Sequence, residues 1–107
     1  GLGAEAGTDD EIAMPNSFAL KGNYPNPFNP STNIAYSIDM NSKVNVKIYS
    51  LLGEEITSLF SGDVNPGTHE VQWNGVDNAG VAVASGVYIY RVEANNQALT
   101  GKMMLLK

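Results

Sequence analysis

The sequence feature that most constrains the fold is a ten-residue run with three prolines, Asn23-Tyr24-Pro25-Asn26-Pro27-Phe28-Asn29-Pro30-Ser31-Thr32. Each proline fixes φ, removes a backbone donor and pushes the preceding residue toward extended geometry. The run therefore predicts neither a helix nor a central strand, but a stiff extended segment. We call residues 24–30 the strap. We expect Tyr24 and Phe28 to anchor it, while neighbouring Asn, Ser and Thr side chains close local turns.

Outside the strap, apolar and polar residues alternate in short stretches, which is the pattern of half-buried β-strands. Residues 51–59 have mixed propensities, and we assign 55–60 to a weaker strand rather than to a helix. Short strands separated by turn signals predict one antiparallel β-sandwich of about seven strands. The positions that share a face are Phe18 and Leu20; Ile34, Tyr36 and Ile38; Val44, Val46 and Ile48; His69, Val71 and Trp73; Tyr88, Tyr90 and Val92; and Met103 and Leu105.

Short polar links separate the predicted strands. Asn41-Ser42 predicts a hairpin turn, Asn65-Pro66-Gly67 is a strong turn signal, and Asn95-Asn96 turns the chain back into its last strand. Residues 75–86 form a longer connection of small and polar residues.

Length and charge indicate one small domain with an acidic N-terminal arm. The chain has 107 residues, no cysteine and a net charge of −5. We interpret residues 1–11 as a flexible linker and residues 12–107 as the β-sandwich, because the first segment is too polar to form a core. The acids of the linker are Glu5, Asp9, Asp10 and Glu11, and it has no base.

The same charge distribution argues against nucleic-acid binding. Six scattered cations do not supply the basic face that displaces counterions from phosphates. No apolar run approaches the ~20 residues of a transmembrane helix, and no signal-peptide pattern opens the sequence. If the chain is exported, we expect its export signal to have been removed or to lie upstream in a longer parent.

The sequence offers little catalytic chemistry, and we expect a protein that is not an enzyme. There is no cysteine, and His69 is the single histidine. A nucleophile needs an activating base, but a histidine on a strand beside Val71 and Trp73 is more typical of a structural residue. No phosphate-binding loop, zinc-ligand spacing or dinucleotide motif occurs.

One loop has oxygen ligands at a spacing that could hold calcium. Asn74, Asp77 and Asn78 lie among glycines that permit tight turns, and backbone carbonyls could complete the site. The alternative, which we favour, is a β-turn in which the Asp and Asn side chains satisfy nearby backbone groups. A single carboxylate supplies little charge for a tight calcium site, and we expect no other cofactor.

Three aromatic residues can be interpreted either as a ligand-binding surface or as part of the core. Trp73, Tyr88 and Tyr90 could form a platform for carbohydrate stacking. Because all three sit in alternating strand patterns, a core cluster is favoured.

Four stretches of the sequence, taken in order, carry a family resemblance. They are Leu20-Lys21-Gly22 with the proline run; Val46-Lys47-Ile48-Tyr49-Ser50-Leu51-Leu52-Gly53-Glu54-Glu55; Ala84-Ser85-Gly86-Val87-Tyr88-Ile89-Tyr90-Arg91; and Gly101-Lys102-Met103-Met104-Leu105-Leu106-Lys107. With these stretches, residues 12–107 resemble the C-terminal sorting domains (type A) of proteins exported through the type IX secretion system. Residues 71–90 also resemble the immunoglobulin-like domain of flagellar hook-capping proteins, which implies an immunoglobulin-like sandwich.

The resemblance implies a secretion signal attached to a cargo protein. Its partners would be the type IX translocon and a sortase-like surface peptidase, and its location the surface or exterior of a Gram-negative bacterium, reached through the periplasm. In the family the signal concentrates in the last strand region, here residues 95–107 with Gly101 to Lys107 at its end. Cleavage falls before the first strand, here within residues 4–13.

The closing residues 103–106 are apolar at every position, more than one buried face requires. Either both faces are covered, with the strap as one cover, or one face binds a partner. Two other functions remain open: a β-sandwich subunit that self-assembles through its N-terminal arm or an edge strand, and an accessory module that binds a ligand.

Overall fold

A computed structural model of the protein describes residues 18–107. This part of the chain folds into seven β-strands, and no helix in it is long and apolar enough to cross a membrane. The linker at residues 1–11, the predicted domain boundary at residue 12 and the expected cleavage region at 4–13 lie outside the described residues. The strands are β1 (Ala19–Tyr24), β2 (Thr32–Ile38), β3 (Ser42–Ser50), β4 (Glu55–Val64), β5 (Gly67–Trp73), β6 (Gly86–Ala94) and β7 (Gln97–Leu105).

The strands form two antiparallel sheets that pack face to face. One sheet has three strands in the order β1-β2-β5, and the other has four in the order β4-β3-β6-β7. The prediction of an all-β, immunoglobulin-like sandwich of about seven strands is confirmed. The assignment of residues 55–60 to a strand is also confirmed, because they begin β4.

The core follows from the alternation of the strands. In β3, Val44, Val46 and Ile48 are completely buried, while the residues between them are more exposed. Because successive side chains point to opposite faces, each sheet contributes one apolar face, and burial of each large side chain stabilises the fold by about 1.5–3 kcal/mol. The predicted inward positions of the last two strands are confirmed, and they are Tyr88, Tyr90, Val92, Met103 and Leu105.

The hairpin predicted at Asn41-Ser42 is wrong. Strand β2 belongs to the three-stranded sheet and β3 to the four-stranded sheet, so residues 39–41 carry the chain from one sheet to the other. Ser42 itself is the buried first residue of β3. A short polar link has the same composition whether it joins paired strands or crosses between sheets, and the sequence did not distinguish the two.

The turn at Asn95-Asn96 does form a hairpin. It joins the paired strands β6 and β7, and Asn95 has a φ of 57°. Asparagine is among the few residues that adopt this left-handed conformation readily, so the local chemistry of the turn and the strand pairing agree. The Asn95 side chain also donates a hydrogen bond to the Ser42 hydroxyl at 3.1 Å.

Candidate functional site: the strap and the last strand

The strap is fixed to the core by Phe28. This side chain is 2% exposed and lies against Trp73, with ring centroids 5.5 Å apart. Trp73 in turn contacts Tyr88 edge to face at 5.3 Å. Aromatic contacts of this kind add to the free energy of area burial, so Phe28 ties the strap to both sheets.

The strap also pairs with the edge of β7. The amide of Phe28 donates to the carbonyl of Met104 at 2.9 Å, and the amide of Leu106 donates to the carbonyl of Phe28 at 3.0 Å. The amide of Met104 donates to Oδ1 of Asn26 at 3.0 Å. These bonds satisfy backbone groups that an edge strand leaves open. The alternative in which the strap covers part of the last strand is therefore correct for its edge.

Two details of the predicted strap are wrong. Tyr24 is 81% exposed and does not anchor it. Tyr24 is the last residue of the edge strand β1, and no strand within residues 18–107 pairs with β1 on its outer side. The strap is also not extended throughout, because residues 25–27 and 29–30 are bends on either side of Phe28.

The ends of the proline run behave differently from its centre. Asn23 lies in the edge strand β1, whereas Thr32 begins β2, the central strand of its sheet, one residue inside the run. The Thr32 hydroxyl donates to the carbonyl of Pro25 at 2.8 Å and accepts a bond from the Asn23 side chain at 3.2 Å. The prediction that Asn and Thr side chains close local turns is confirmed.

The closing residues divide between core and surface. Met103 and Leu105 are 2% and 1% exposed, whereas Met104 and Leu106 are 40% and 50% exposed. The strap covers the edge of this segment but leaves these two apolar side chains in contact with solvent. The structure thus gives two of the predicted signal residues a role in folding and leaves two available to a partner.

Gly101 also has a structural role. The ring of Tyr90, its partner across β6 and β7, lies directly over it. A Cβ atom at residue 101 would be 2.8 Å from Cε1 of this ring and closer still to Cζ and the hydroxyl. Glycine is therefore required here by close packing, and Lys102 beside it is exposed.

An apolar groove of about 340 Å³ lies where the strap meets the outer face of β6 and β7. Its walls are mainly hydrocarbon, with one lysine and one asparagine at the rim. The lining residues are Asn26, Pro27, Val87, Lys102, Met103 and Met104.

Exposed apolar side chains concentrate at the end of the sandwich that carries the strap. Leu51 and Leu52, which were not among the predicted site residues, are 59% and 88% exposed in the turn after β3. The sequence signal that could have revealed them is the pair of adjacent leucines directly before Gly53, at a turn where polar residues are usual. Met40 is the exposed apolar residue at the opposite end, and those at the strap end are Tyr24, Leu51, Leu52, Val81, Met104 and Leu106.

The candidate calcium loop uses its oxygens in hydrogen bonds to the protein. Oδ1 of Asp77 accepts from the amides of Ala79 and Val81 at 2.9 and 3.0 Å. Asn78 reaches β4, as its Oδ1 accepts from the Thr57 hydroxyl at 2.9 Å. This is the arrangement of the favoured turn interpretation. Asn74 is exposed. Within residues 18–107, no group of three or more His, Cys, Asp or Glu lies close enough together to hold a metal ion. Calcium binding by this loop stays an untested alternative.

The remaining candidate residues are structural. Nε2 of His69 lies 2.7 Å from the carbonyl of Asn65, to which it donates, and the ring packs 5.7 Å from Tyr36. Trp73, Tyr88 and Tyr90 are buried, so the core interpretation is confirmed and the carbohydrate platform is wrong.

Burial also changes the titration of the core tyrosines. Desolvation disfavours the phenolate and raises the pKa of Tyr36, Tyr88 and Tyr90 above its usual value. Tyr88 additionally donates its hydroxyl to the carbonyl of Ala84 at 2.6 Å. All three buried hydroxyls therefore remain protonated and uncharged at physiological pH.

Residues 29–98 match the profile of the FlgD Ig-like domain family, which covers more than half of the sequence. The chain belongs to the FlgD Ig-like domain family. Comparison with curated protein sequences finds no match. The family match begins after Phe28 and ends before Leu99, so it leaves out the pairing between strap and β7.

Two solved structures from Porphyromonas gingivalis contain a similar fold. Dimeric latent PorU matches 83% of this chain at 23% identity with a TM-score of 0.67. PorZ, an essential bacterial surface component of the type-IX secretion system, matches 85% at 22% identity with a TM-score of 0.56. At these identities the likeness shows the fold. This chain spans 9% and 12% of the two proteins.

Proposed function

We propose that this FlgD-like Ig domain is a non-catalytic C-terminal sorting domain that directs an attached cargo protein across the outer membrane through the type IX system. The cargo would then be attached to the cell surface or released. In this proposal the domain reaches the outer membrane through the periplasm of a Gram-negative bacterium.

One observation carries the proposal. Of the four stretches that resemble the sorting family, the first and the last are hydrogen bonded to each other through Phe28, Met104 and Leu106. Both pairing segments lie outside the match to the general Ig-like family. Parts of two stretches that resemble a sorting domain thus lie beyond the match to the FlgD-like family, and they form one structural unit.

The fold comparisons support the same proposal more weakly. PorZ is a surface component of the type-IX secretion system, and the part that resembles this chain is a small fraction of it. A domain that occupies a small part of a longer protein suits a sorting label better than an independent enzyme. The histidine and the aromatic cluster, which offered the most plausible chemistry, are engaged in packing and hydrogen bonds.

The proposed partners are the type IX translocon and a sortase-like surface peptidase. The translocon would contact the strap end, where Met104 and Leu106 are exposed beside the groove. The peptidase would cut within residues 4–13, ahead of β1. Both assignments extend the family resemblance to this chain.

The test is export of a fluorescent reporter carrying residues 1–107 behind a signal peptide, in a cell with a type IX system. Deleting residues 103–107 would remove Met103 and Leu105 from the core and so confuse export with folding. The sharper variant is Met104→Gln with Leu106→Gln, which changes exposed side chains. Met40→Gln is the matched control because Met40 is 55% exposed at the opposite end.

We expect the wild-type and control reporters to reach the surface and the double variant to lose about tenfold in export. Circular dichroism must show that all three are folded. A folded wild-type reporter that remains in the periplasm would overturn the sorting function. Concentration-dependent assembly of that reporter would then favour the self-assembling subunit.

A further inference from the structure

The strap covers only the end of the exposed edge of β7 that lies beside it. Met104 directs both its amide and its carbonyl toward the strap. Because backbone groups of a strand alternate in direction, Lys102 and Thr100 point theirs to the same side. No backbone hydrogen bond from another loop or strap residue reaches these two within residues 18–107. Within residues 18–107, this part of the edge is therefore a short row of backbone donors and acceptors with no loop or strap partner.

The open part of the edge has a distinctive charge. The two ion pairs of the described chain are Lys47 with Glu55, at 3.6 Å, and Arg91 with Glu93, at 2.9 Å. Lys102 takes part in neither, although it lies one strand away from Arg91. It lines the groove, so a cation with no ion pair among residues 18–107 adjoins apolar walls at the point where the open edge meets the strap.

We propose that this open edge binds an extended strand of a partner protein, with an acidic side chain beside Lys102 and an apolar side chain in the adjoining groove. The inference rests on the proposed function and specifies how the partner recognises the domain. The strap itself provides the precedent, because Phe28 already pairs with the same edge through two backbone hydrogen bonds. Strand addition obtains affinity from the backbone and specificity from alternate side chains.

The β7 strand of a second copy fits the edge less well. Pairing two β7 edges about Thr100 would place Lys102 beside Ala98 of the other copy. Residues 97–102 contain no acid that could neutralise the lysine. Charge complementarity therefore favours a strand that contains an acid over the β7 strand of a second copy.

The direct test is a titration of the isotope-labelled full chain with a synthetic hexapeptide, acetyl-Thr-Val-Glu-Val-Thr-Val-amide, followed by NMR. A second peptide has lysine in place of the glutamate. Thr100→Pro removes an outward donor, with Thr100→Val as the matched control that keeps it. Lys102→Glu reverses the charge, with Lys43→Glu as the control on the same sheet, since Lys43 is also exposed.

We expect saturable binding of the glutamate peptide, with shifts confined to residues 98–102 and the groove. Thr100→Pro should abolish it, and Lys102→Glu should weaken it about tenfold and strengthen binding of the lysine peptide. The two control variants should bind like the wild type. Absence of binding at about 1 mM peptide, or unchanged binding in Thr100→Pro and Lys102→Glu, would overturn the proposal.

The same variants in the export assay separate this inference from the sorting function. Normal export of a folded Thr100→Pro reporter would overturn recognition through the edge and leave the sorting function in place. Failure of the wild-type reporter would overturn the sorting function, and the peptide titration would still decide whether the edge accepts a strand.

Discussion

The two edges of the four-stranded sheet are covered at the same end of the molecule, but by different means. At β7, Asn26 accepts a hydrogen bond from the Met104 amide and Phe28 adds two backbone bonds. At β4, the Asn78 side chain accepts a hydrogen bond from the Ser58 amide at 3.3 Å, and the backbone amide of Asn78 donates to the carbonyl of Ile56 at 3.2 Å. At this end, each edge is thus satisfied by an asparagine side chain together with backbone pairing.

The difference lies in what anchors each cover. Phe28 is buried against Trp73, whereas Asn78 is exposed and is tied to β4 through the Thr57 hydroxyl. Hydrogen bonds exchange with water and contribute little net free energy, while a buried aromatic side chain contributes several kcal/mol. The strap should therefore be an integral part of the fold, and the Asn78 loop a weaker polar cover.

The largest expected effect comes from Phe28→Ala, which should destabilise the domain by about 3–5 kcal/mol by leaving a cavity beside Trp73. Urea denaturation measures it. Tyr24→Ala is the control, since Tyr24 belongs to the same strap but is exposed, and it should change stability by less than about 0.5 kcal/mol. Equal losses in the two variants would show that Phe28 is not the anchor of the strap.

Gly101→Ala should have the next largest effect, about 1–3 kcal/mol, because the new Cβ overlaps the Tyr90 ring. In the background of Tyr90→Val the same change should cost much less, whereas Tyr90→Phe keeps the overlapping ring and should give no relief. A double-mutant cycle in urea isolates this coupling. Additive effects would show that the glycine is not required by the ring.

The two asparagines allow a smaller and more direct comparison. Asn78→Ala should cost about 1–2 kcal/mol because it removes the acceptor of Thr57, a residue only 7% exposed. Asn26→Ala should cost about 0.5–1 kcal/mol, as Phe28 still pairs with β7. Hydrogen exchange at the Ser58 and Met104 amides reports the two edges separately. A greater loss in Asn26→Ala would reverse the proposed order.

The smallest effect is expected from alkaline pH, where ionisation of the tyrosines is only beginning. Burial raises the pKa of Tyr36, Tyr88 and Tyr90 in the folded state. Their contribution to the free energy of unfolding is therefore fully present below the unfolded pKa of about 10, and it is lost as the pH rises through the pKa of the folded state. Denaturation midpoints at pH 8 and above pH 10 test this. Tyr90→Phe should reduce the decline, and a midpoint that rises with pH would contradict it.

Local patterns predicted most of the strands correctly. Val44, Val46 and Ile48 alternate with polar residues, and this period of two reflects the geometry of any half-buried strand. The turn at Asn95-Asn96 was equally readable, since asparagine adopts its left-handed conformation at little cost. That residues 39–41 cross from one sheet to the other could not be predicted, because strand partners depend on contacts between residues far apart in the sequence.

The strap shows the same division within a single segment. Its prolines excluded helix from sequence alone, but the choice between Tyr24 and Phe28 as anchor required knowing which aromatic faces the interior.

The sequence by itself determined the strand periodicity, the exclusion of a helix from the strap and the polar character of most turns, because these follow from the chemistry of neighbouring residues. Only the tertiary structure decided that Asn26 meets Met104 across 78 positions of the chain, and that the strap stops short of Lys102. Such pairings depend on how the two sheets pack, and backbone donors and acceptors are the same at every residue. The open edge proposed to bind a partner was therefore invisible until the fold was known.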